Sequence, residues 1–253
     1  MARLGTPPGL ARPGRRCSLA AAGTTVLLLA ACSSSPGSAS GPHTATLLAD
    51  GRSSATLDML TGTTTLTIGV ADFGASGALL RVSTPAGQPA PELRISGAGG
   101  SAQPEQGSVV DLTADDAAQV TVTLNAAVRW QLDLRGGTSR TVADLRGGQV
   151  AGIDFDAGSA VISLALPRPG GSVPIQLTAG ASQFLLSLPS GTPAQVTAGG
   201  GAGEVSLEGQ TRVGVAGGSV FSTPGWAPGV AGFAIDATAG AARITVTARA
   251  RSR

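Results

Sequence analysis

Two segments in the second half of the chain carry the same pattern and decide the fold. Residues 156–167 read DAGSAVISLALP, and residues 178–189, which begin 22 positions later, read TAGASQFLLSLP. In each segment a glycine-containing turn leads into a strand whose apolar residues alternate with small or polar ones, and a proline closes the strand. Alternation with a period of two is typical of a β-strand with one buried face. A unit of about 20 residues built from short strands and glycine turns indicates one coil of a β-solenoid.

Alternating strands fill most of the chain after residue 44, and no segment shows the 3.6-residue period of an amphipathic helix. Looser copies of the repeat begin at residues 198 and 235. These patterns predict an all-β chain with an N-terminal β region at 45–123 and a repeat-containing solenoid at 124–248. A β-sandwich is the alternative, because its strands also recur every 8–12 residues or so.

Glycine-rich corners recur through the second half of the chain, at residues 144–148 (DLRGG), 199–203 (GGGAG) and 239–241 (AGA), between strands that end in Leu-Pro. This arrangement resembles the adhesin-like "toast-rack" β-helix proteins of bacterial cell envelopes. The similarity covers roughly 124–248 and extends less clearly back to residue 44. It implies a right-handed single-stranded β-helix at the cell surface. It implies no reaction, because that family is largely without an assigned activity and the pattern contains no catalytic motif.

The first 31 residues have the parts of an export signal. Four arginines and no acidic residue precede an apolar run at 18–31, which is too short to span a membrane, and small residues lead to Cys32. The sequence LAAC at 29–32 looks like a lipobox, in which the Cys32 thiol is alkylated by diacylglycerol. We therefore expect a lipoprotein signal peptide at 1–31 and an extracytoplasmic protein anchored to the bacterial cell membrane. An ordinary secretory signal with a chance cysteine is the alternative. The Ser/Gly/Pro-rich segment 32–44 is predicted to be a flexible tether.

Composition excludes several classes of function. The basic residues number 17, and all are arginines; four precede Cys32, which leaves thirteen against 15 acidic residues and a net charge of about −2 for the mature chain. A solvated basic tail is expected at 249–253, and no basic stripe with aromatics indicates nucleic-acid binding. Cys17 is removed with the signal and Cys32 is lipidated, so no thiol remains for a disulfide or a metal site. With no lysine or tyrosine and only His43, we predict no enzymatic activity, no cofactor and no metal.

Two features are candidate sites. Asp154 and Asp156 flank Phe155, and if Phe155 points inward both carboxylates lie on one outer face. Such a pair binds Ca²⁺ or performs acid–base work on a glycan, or it is simply a solvated surface pair. Phe221 and Trp226 lie in a proline-rich segment between predicted strands. They either form a ligand-contact loop or fold back on the core.

The predicted function is that of a lipid-anchored, non-enzymatic surface protein, an adhesin-like interaction or scaffolding module of the envelope. Its expected partners are the membrane, through Cys32, and a cell-wall polymer or an envelope protein. An accessory lipoprotein of a transport or signalling complex is one alternative. A carboxylate-dependent polysaccharide hydrolase or lyase is the other, because right-handed β-helices often carry such activities.

Overall fold

Strands and turns make up the whole described part of the chain, which in this computed structural model comprises residues 41–74, 77–96 and 108–249. These ranges belong to one unit that spans Ala39–Arg253, and they contain no helix that could cross a membrane. The described strands are β1 (His43–Leu48), β2 (Ser54–Met59), β3 (Thr63–Ala71), β4 (Ala78–Thr84), β5 (Glu92–Ser96), β6 (Ser108–Thr113), β7 (Gln119–Asn125), β8 (Arg129–Leu134), β9 (Thr138–Asp144), β10 (Gln149–Phe155), β11 (Ser159–Ala165), β12 (Ser172–Leu177), β13 (Ala181–Pro189), β14 (Ala194–Ala198), β15 (Ala202–Leu207), β16 (Gln210–Val215), β17 (Ser219–Ser222), β18 (Gly232–Ala237) and β19 (Ala241–Arg249).

The strands form two mixed sheets. The ten-stranded sheet has the order β1-β4-β7-β3-β9-β11-β13-β19-β15-β16, and the nine-stranded sheet has the order β17-β14-β18-β12-β10-β8-β2-β6-β5. Neighbours pair in parallel from β7 to β15 in the first sheet and from β14 to β6 in the second, and antiparallel strands lie only at the ends. The prediction of an all-β chain is confirmed. The extensive parallel pairing differs from the hairpin pairing of an immunoglobulin-like sandwich.

The chain alternates between the two sheets from β6 to β15. We call one strand of the nine-stranded sheet and the following strand of the ten-stranded sheet a rung. In spatial order the rungs of the described residues are β6–β7, β2–β3, β8–β9, β10–β11, β12–β13, β18–β19 and β14–β15. The order differs from the chain order at both ends, because β2–β3 lies inside β6–β7 and the last rung, β18–β19, inserts between two earlier ones.

The 22-residue repeat corresponds to direct pairing of two adjacent rungs. Ile162 pairs with Phe184 and Leu164 pairs with Leu186, which are the equivalent positions of the two sequence copies. All four side chains are at most 2% exposed. Equivalent apolar residues therefore stack in columns through the core, with strands about 4.8 Å apart.

One hydrophobic core lies between the sheets and receives side chains from both of them. Phe155 of the nine-stranded sheet meets Phe184 of the ten-stranded sheet edge to face, with ring centroids 6.0 Å apart. Trp130 is 1% exposed, and its indole Nε1 donates a hydrogen bond to the Asn125 carbonyl at 3.1 Å. The core extends across the sequence boundary expected at 123/124, which lies within β7.

Glycines make close contacts between rungs where the chain turns from one sheet to the other. A Cβ atom on Gly136 would lie 1.9 Å from the Thr61 carbonyl oxygen, so only glycine fits there. The ends of the β-rich unit differ by a few residues from the expected bounds. Strand β1 begins at His43, inside the predicted tether, and Arg249 of the predicted tail ends β19 and donates a hydrogen bond to the Leu166 carbonyl at 2.8 Å.

Candidate functional sites

A row of carboxylates crosses the outward face of the nine-stranded sheet. Asp154 pairs with Asp133 in the parallel register, and Asp133 pairs with Asp58. The residues on either side of each of these aspartates point into the core. We call the full row the aspartate ladder, and its positions in spatial order are Asp111, Asp58, Asp133, Asp154, Gln176 and Asp236. Five of the six adjacent strands therefore place a carboxylate at the same height, with one amide at the remaining position.

Asp154 is held by a glutamine that bridges two rungs. Gln131 Nε2 donates to Asp154 Oδ2 at 2.8 Å and to Asp133 Oδ1 at 2.9 Å. Gly152 leaves the space for this side chain, because a Cβ atom there would lie 2.4 Å from Gln131 Oε1. Burial raises the pKa of Asp154, and the charges of Asp133 and Asp156 raise it further. Asp154 Oδ1 is buried without a hydrogen-bond partner.

Asp58 is the most buried member of the ladder, at 5% exposure. Burial raises the pKa of Asp58, and the neighbouring acids Asp133, Asp111 and Asp156 add to the effect. Arg135 opposes it by an ion pair, with its Nε 3.3 Å from Asp58 Oδ1. The ladder is therefore a row of like charges, and in the described part of the chain its one ion pair forms at the most buried position.

The structure places the predicted pair Asp154 and Asp156 at one end of β10. Asp154 lies within the strand, whereas Asp156 follows it and accepts a hydrogen bond from Thr178 Oγ1 at 3.0 Å. In the described residues no three His, Cys, Asp or Glu side chains are placed to hold a metal ion together. The ladder thus concentrates negative charge without gathering its oxygens around one point.

An uncharged row runs across the outward face of the other sheet. We call it the hydroxyl ladder, and its positions in spatial order are Thr44, Ser83, Thr121, Thr67, Val142, Ser163, Leu185, Thr245, Ser206 and Thr211. Eight of these ten positions carry a hydroxyl group. The row crosses every strand of the ten-stranded sheet and offers regularly spaced donors and acceptors to solvent.

The predicted contact residues Phe221 and Trp226 are both half-buried. Phe221 lies on β17, pairs with Val196 and packs against the core. Trp226 lies in the following loop against the start of β18, where a Cβ atom on Gly232 would be 3.0 Å from Trp226 Cζ3. Phe221 and Trp226 therefore fix this loop to the sheet, and a role in ligand contact stays a prediction.

Phe221 also lines a cavity of about 200 Å³ between the last strand of each sheet. We call it the end cavity. Its apolar side includes Phe221 and Leu207, and its polar side includes Glu208, Gln210, Arg212 and Thr223. Arg212 lies opposite Val205 and therefore continues a core column into the terminal strand β16.

Cys32, the predicted signal peptide 1–31 and residues 250–253 of the predicted tail lie outside the described residues. Lipidation at Cys32 accordingly stays a prediction from the sequence.

Sequence reasoning missed most of the aspartate ladder and the end cavity. A signal for the ladder was available, because the triplet apolar–Asp–apolar occurs at 57–59, 110–112, 132–134, 153–155 and 235–237. In strands that alternate, such a triplet places its aspartate on the outward face. No comparable signal marks the end cavity, because Arg212 lies in a strand whose residues are almost all exposed.

The similarity of this chain to known proteins is limited to its fold. No protein-family model matches the chain, and no curated protein matches it. The crystal structure of a "putative cell adhesion protein" from Clostridium sporogenes ATCC 15579 is similar, with a TM-score of 0.56 and 16% sequence identity. The match covers 81% of this chain and 98% of the clostridial chain. The two proteins share an all-β fold over almost the whole clostridial chain.

Proposed function

We propose that this protein is a non-enzymatic, adhesin-like module of the bacterial cell surface. The observation that carries the proposal is the likeness in fold to the clostridial "putative cell adhesion protein", which matches over 98% of its length. The hydroxyl ladder gives further support. It spans ten strands, or about 43 Å at a strand spacing of about 4.8 Å, and it is a neutral hydrogen-bonding surface suited to an extended polymer.

The fold is a right-handed single-stranded β-solenoid under this proposal. In-register parallel rungs and the stacked 22-residue repeat support it. The β-sandwich is the competing description, since two sheets face each other over one core. A solenoid arrangement presents rows of equivalent side chains to a partner, which a scaffold for adhesion requires.

The module is held at the membrane by a diacylglyceryl group on Cys32, with residues 32–44 as the tether. Two acyl chains anchor a protein stably, because each buried CH₂ group contributes about 0.8 kcal/mol. The partner in the envelope is a cell-wall polymer or an envelope protein.

Fractionation and adhesion assays test this proposal together. Cells that express the wild-type chain should retain it in the membrane fraction and bind an immobilised cell-wall polymer more than cells without it. Cys32→Ser should release the protein and remove that gain. Membrane retention of Cys32→Ser would contradict the anchor, and equal adhesion with and without the protein would contradict the adhesin-like role.

A polysaccharide hydrolase or lyase is a second candidate, and the raised pKa of Asp154 favours it, since a general acid on a glycan needs such a carboxyl group. Zymography on cell-wall glycans with wild type, Asp154→Asn and Asp156→Asn decides between the two functions. The adhesin-like proposal expects no turnover from any of the three proteins. Turnover that either substitution abolishes would establish the enzyme instead.

A further inference from the structure

We propose that the end cavity binds the ring of a sugar acid, with the Arg212 guanidinium on the carboxylate of the sugar. The inference deepens the proposed adhesin-like function by naming a ligand class, and it rests on that function for the presence of such a ligand outside the cell. The proposed binding site is formed by described residues at one end of the two sheets.

Arg212 lies at the end of a column of core side chains. Val205, Ile244 and Phe184 occupy one core column on successive strands, and each is at most 1% exposed. Arg212 takes the next place in this column on β16, and Gln210 takes the next place in the column of Leu207. Polar groups therefore replace apolar ones where the core opens to solvent. A polar end is also what a terminal repeat needs for solubility, so position alone names no ligand.

The charge of Arg212 is available to a ligand. Its one hydrogen bond within the described residues goes from Nη1 to the Thr211 carbonyl at 3.3 Å. The described ion pairs do not include it. A guanidinium with free donors in a fixed fork matches a carboxylate by two parallel hydrogen bonds.

The size and lining of the end cavity fit a single sugar ring. At about 200 Å³ it is smaller than the roughly 300–1,000 Å³ of sites for drug-sized ligands, so it fits one ring. Phe221 and Leu207 belong to the apolar part of the lining, which suits one face of that ring, and Gln210 and Glu208 offer partners to its hydroxyl groups. Thr223 keeps one wall in place, because its Oγ1 accepts from Ala194 N at 2.8 Å and donates to Ala194 O at 3.3 Å.

The geometry of β16 disfavours a peptide strand as the occupant. Added strands need a regular edge, and Gly214, the penultimate residue of this edge strand, has a φ of +64°. Kinks and charges on an edge strand are the features that block such pairing. A compact ring that enters between the two terminal strands does not need a regular edge.

Titration of the purified full-length protein in detergent micelles tests the proposal. Glucuronate is the probe, and glucose is the matched control without the carboxylate. We expect saturable glucuronate binding by calorimetry and binding of glucose that is at least about tenfold weaker. Arg212→Gln should weaken glucuronate binding by about tenfold or more, whereas Arg140→Gln, which changes an exposed arginine on the outward face of β9, should leave it unchanged.

Phe221→Leu provides a second variant that keeps the cavity apolar, and it should weaken glucuronate binding several-fold without affecting the far-ultraviolet circular dichroism spectrum. Three results would overturn the proposal: no saturation with glucuronate, equal binding by wild type and Arg212→Gln, or tighter binding of N-acetylglycine than of glucuronate. The last result would identify a peptide carboxylate as the ligand. None of these results changes the membrane retention or polymer adhesion on which the proposed function is tested.

Discussion

The aspartate ladder and the hydroxyl ladder occupy equivalent outward positions on the two sheets but differ in what stacking does to them. In-register parallel pairing gives a side chain the same kind of neighbour above and below, about 4.8 Å away. A hydroxyl group beside another hydroxyl group donates or accepts as needed. Burial destabilises the charged forms of Asp58 and Asp154 and raises the pKa of each, and the charges of neighbouring carboxylates add to this. Neutral side chains therefore stack in register with little effect on stability, whereas charged side chains that stack in register destabilise the fold.

Three features limit that cost in the aspartate ladder. Arg135 pairs with Asp58, Gln131 donates to both Asp133 and Asp154, and Gln176 separates Asp154 from Asp236. Substitutions at these positions should reveal how much each contributes to the free energy of unfolding. Equivalent substitutions in the hydroxyl ladder should change that free energy little.

Arg135→Gln should produce the largest effect, a decrease of about 1–2 kcal/mol in the free energy of unfolding at pH 7. Breaking a buried ion pair costs about 3–5 kcal/mol, but the Arg135 side chain is 53% exposed, which reduces the loss. Urea denaturation measures the change. Arg129→Gln, at an exposed arginine at the start of β8, the strand that Arg135 follows, is the control and should stay within about 0.5 kcal/mol of wild type. If Arg135→Gln also changes the free energy of unfolding by no more than about 0.5 kcal/mol, the ion pair does not stabilise the ladder.

Gln176→Asp should lower the free energy of unfolding by about 1 kcal/mol, because the new carboxylate faces Asp154 on one side and Asp236 on the other. Ser163→Asp is the matched change in the hydroxyl ladder, where the neighbours are Val142 and Leu185. It should cost less than half as much in the same denaturation experiment. Equal losses for the two variants would mean that the stacked charges do not govern the outcome.

Asp154→Asn should raise the free energy of unfolding by at most about 0.5 kcal/mol at pH 7. It removes a charge that its surroundings disfavour while keeping the shape of the side chain, and solvent screens part of the effect because the side chain is partly exposed. Asp144→Asn should act in the opposite direction, since the hydrogen bonds from Arg146 lower the pKa of Asp144 and stabilise its charged form. Thermal unfolding of both variants checks the two signs. Destabilisation by Asp154→Asn would contradict the ladder.

The advantage of Asp154→Asn should fade in acid. Because the folded-state pKa of Asp154 is raised above 3.8, the ionised carboxyl penalises the fold at pH values above the folded pKa, and the penalty disappears as the pH falls to 3.8. Denaturation curves of wild type and variant from pH 7 to pH 3.5 should therefore converge. If the difference in the free energy of unfolding between wild type and variant is the same at every pH in this range, the ionisation of Asp154 is not its cause.

The sequence predicted an all-β fold correctly, because this depends on local alternation, and it contained the 22-residue repeat whose two copies pair in the structure. The pairing of Ile162 with Phe184 follows from two copies of one pattern. The order of the rungs was not predictable in this way, because a repeat says that units stack but not which unit lies beside which. The insertion of β18–β19 between earlier rungs is decided by long-range pairing, such as that of Ile235 with Ile175 and Val196.

The candidate sites were predictable to different degrees. Asp154 was found from its apolar neighbours, but its coupling to Asp133 and Asp58 required the register of three strands. Arg212 was not found, because its place in a core column depends on a hairpin between β15 and β16 and on the absence of a further strand beyond β16 within the described sheet. The position of a residue at the end of a sheet is a property of the tertiary structure.

The most direct test of this account is a carbon-13 NMR titration of the Asp154 carboxyl group in the folded protein. The stacked register and the burial of this side chain predict a midpoint clearly above the ordinary value of 3.8, and a lower midpoint for Asp154 when Asp133 is replaced by asparagine. A midpoint at or below 3.8 in the wild-type protein, with no response to Asp133→Asn, would contradict the existence of the ladder.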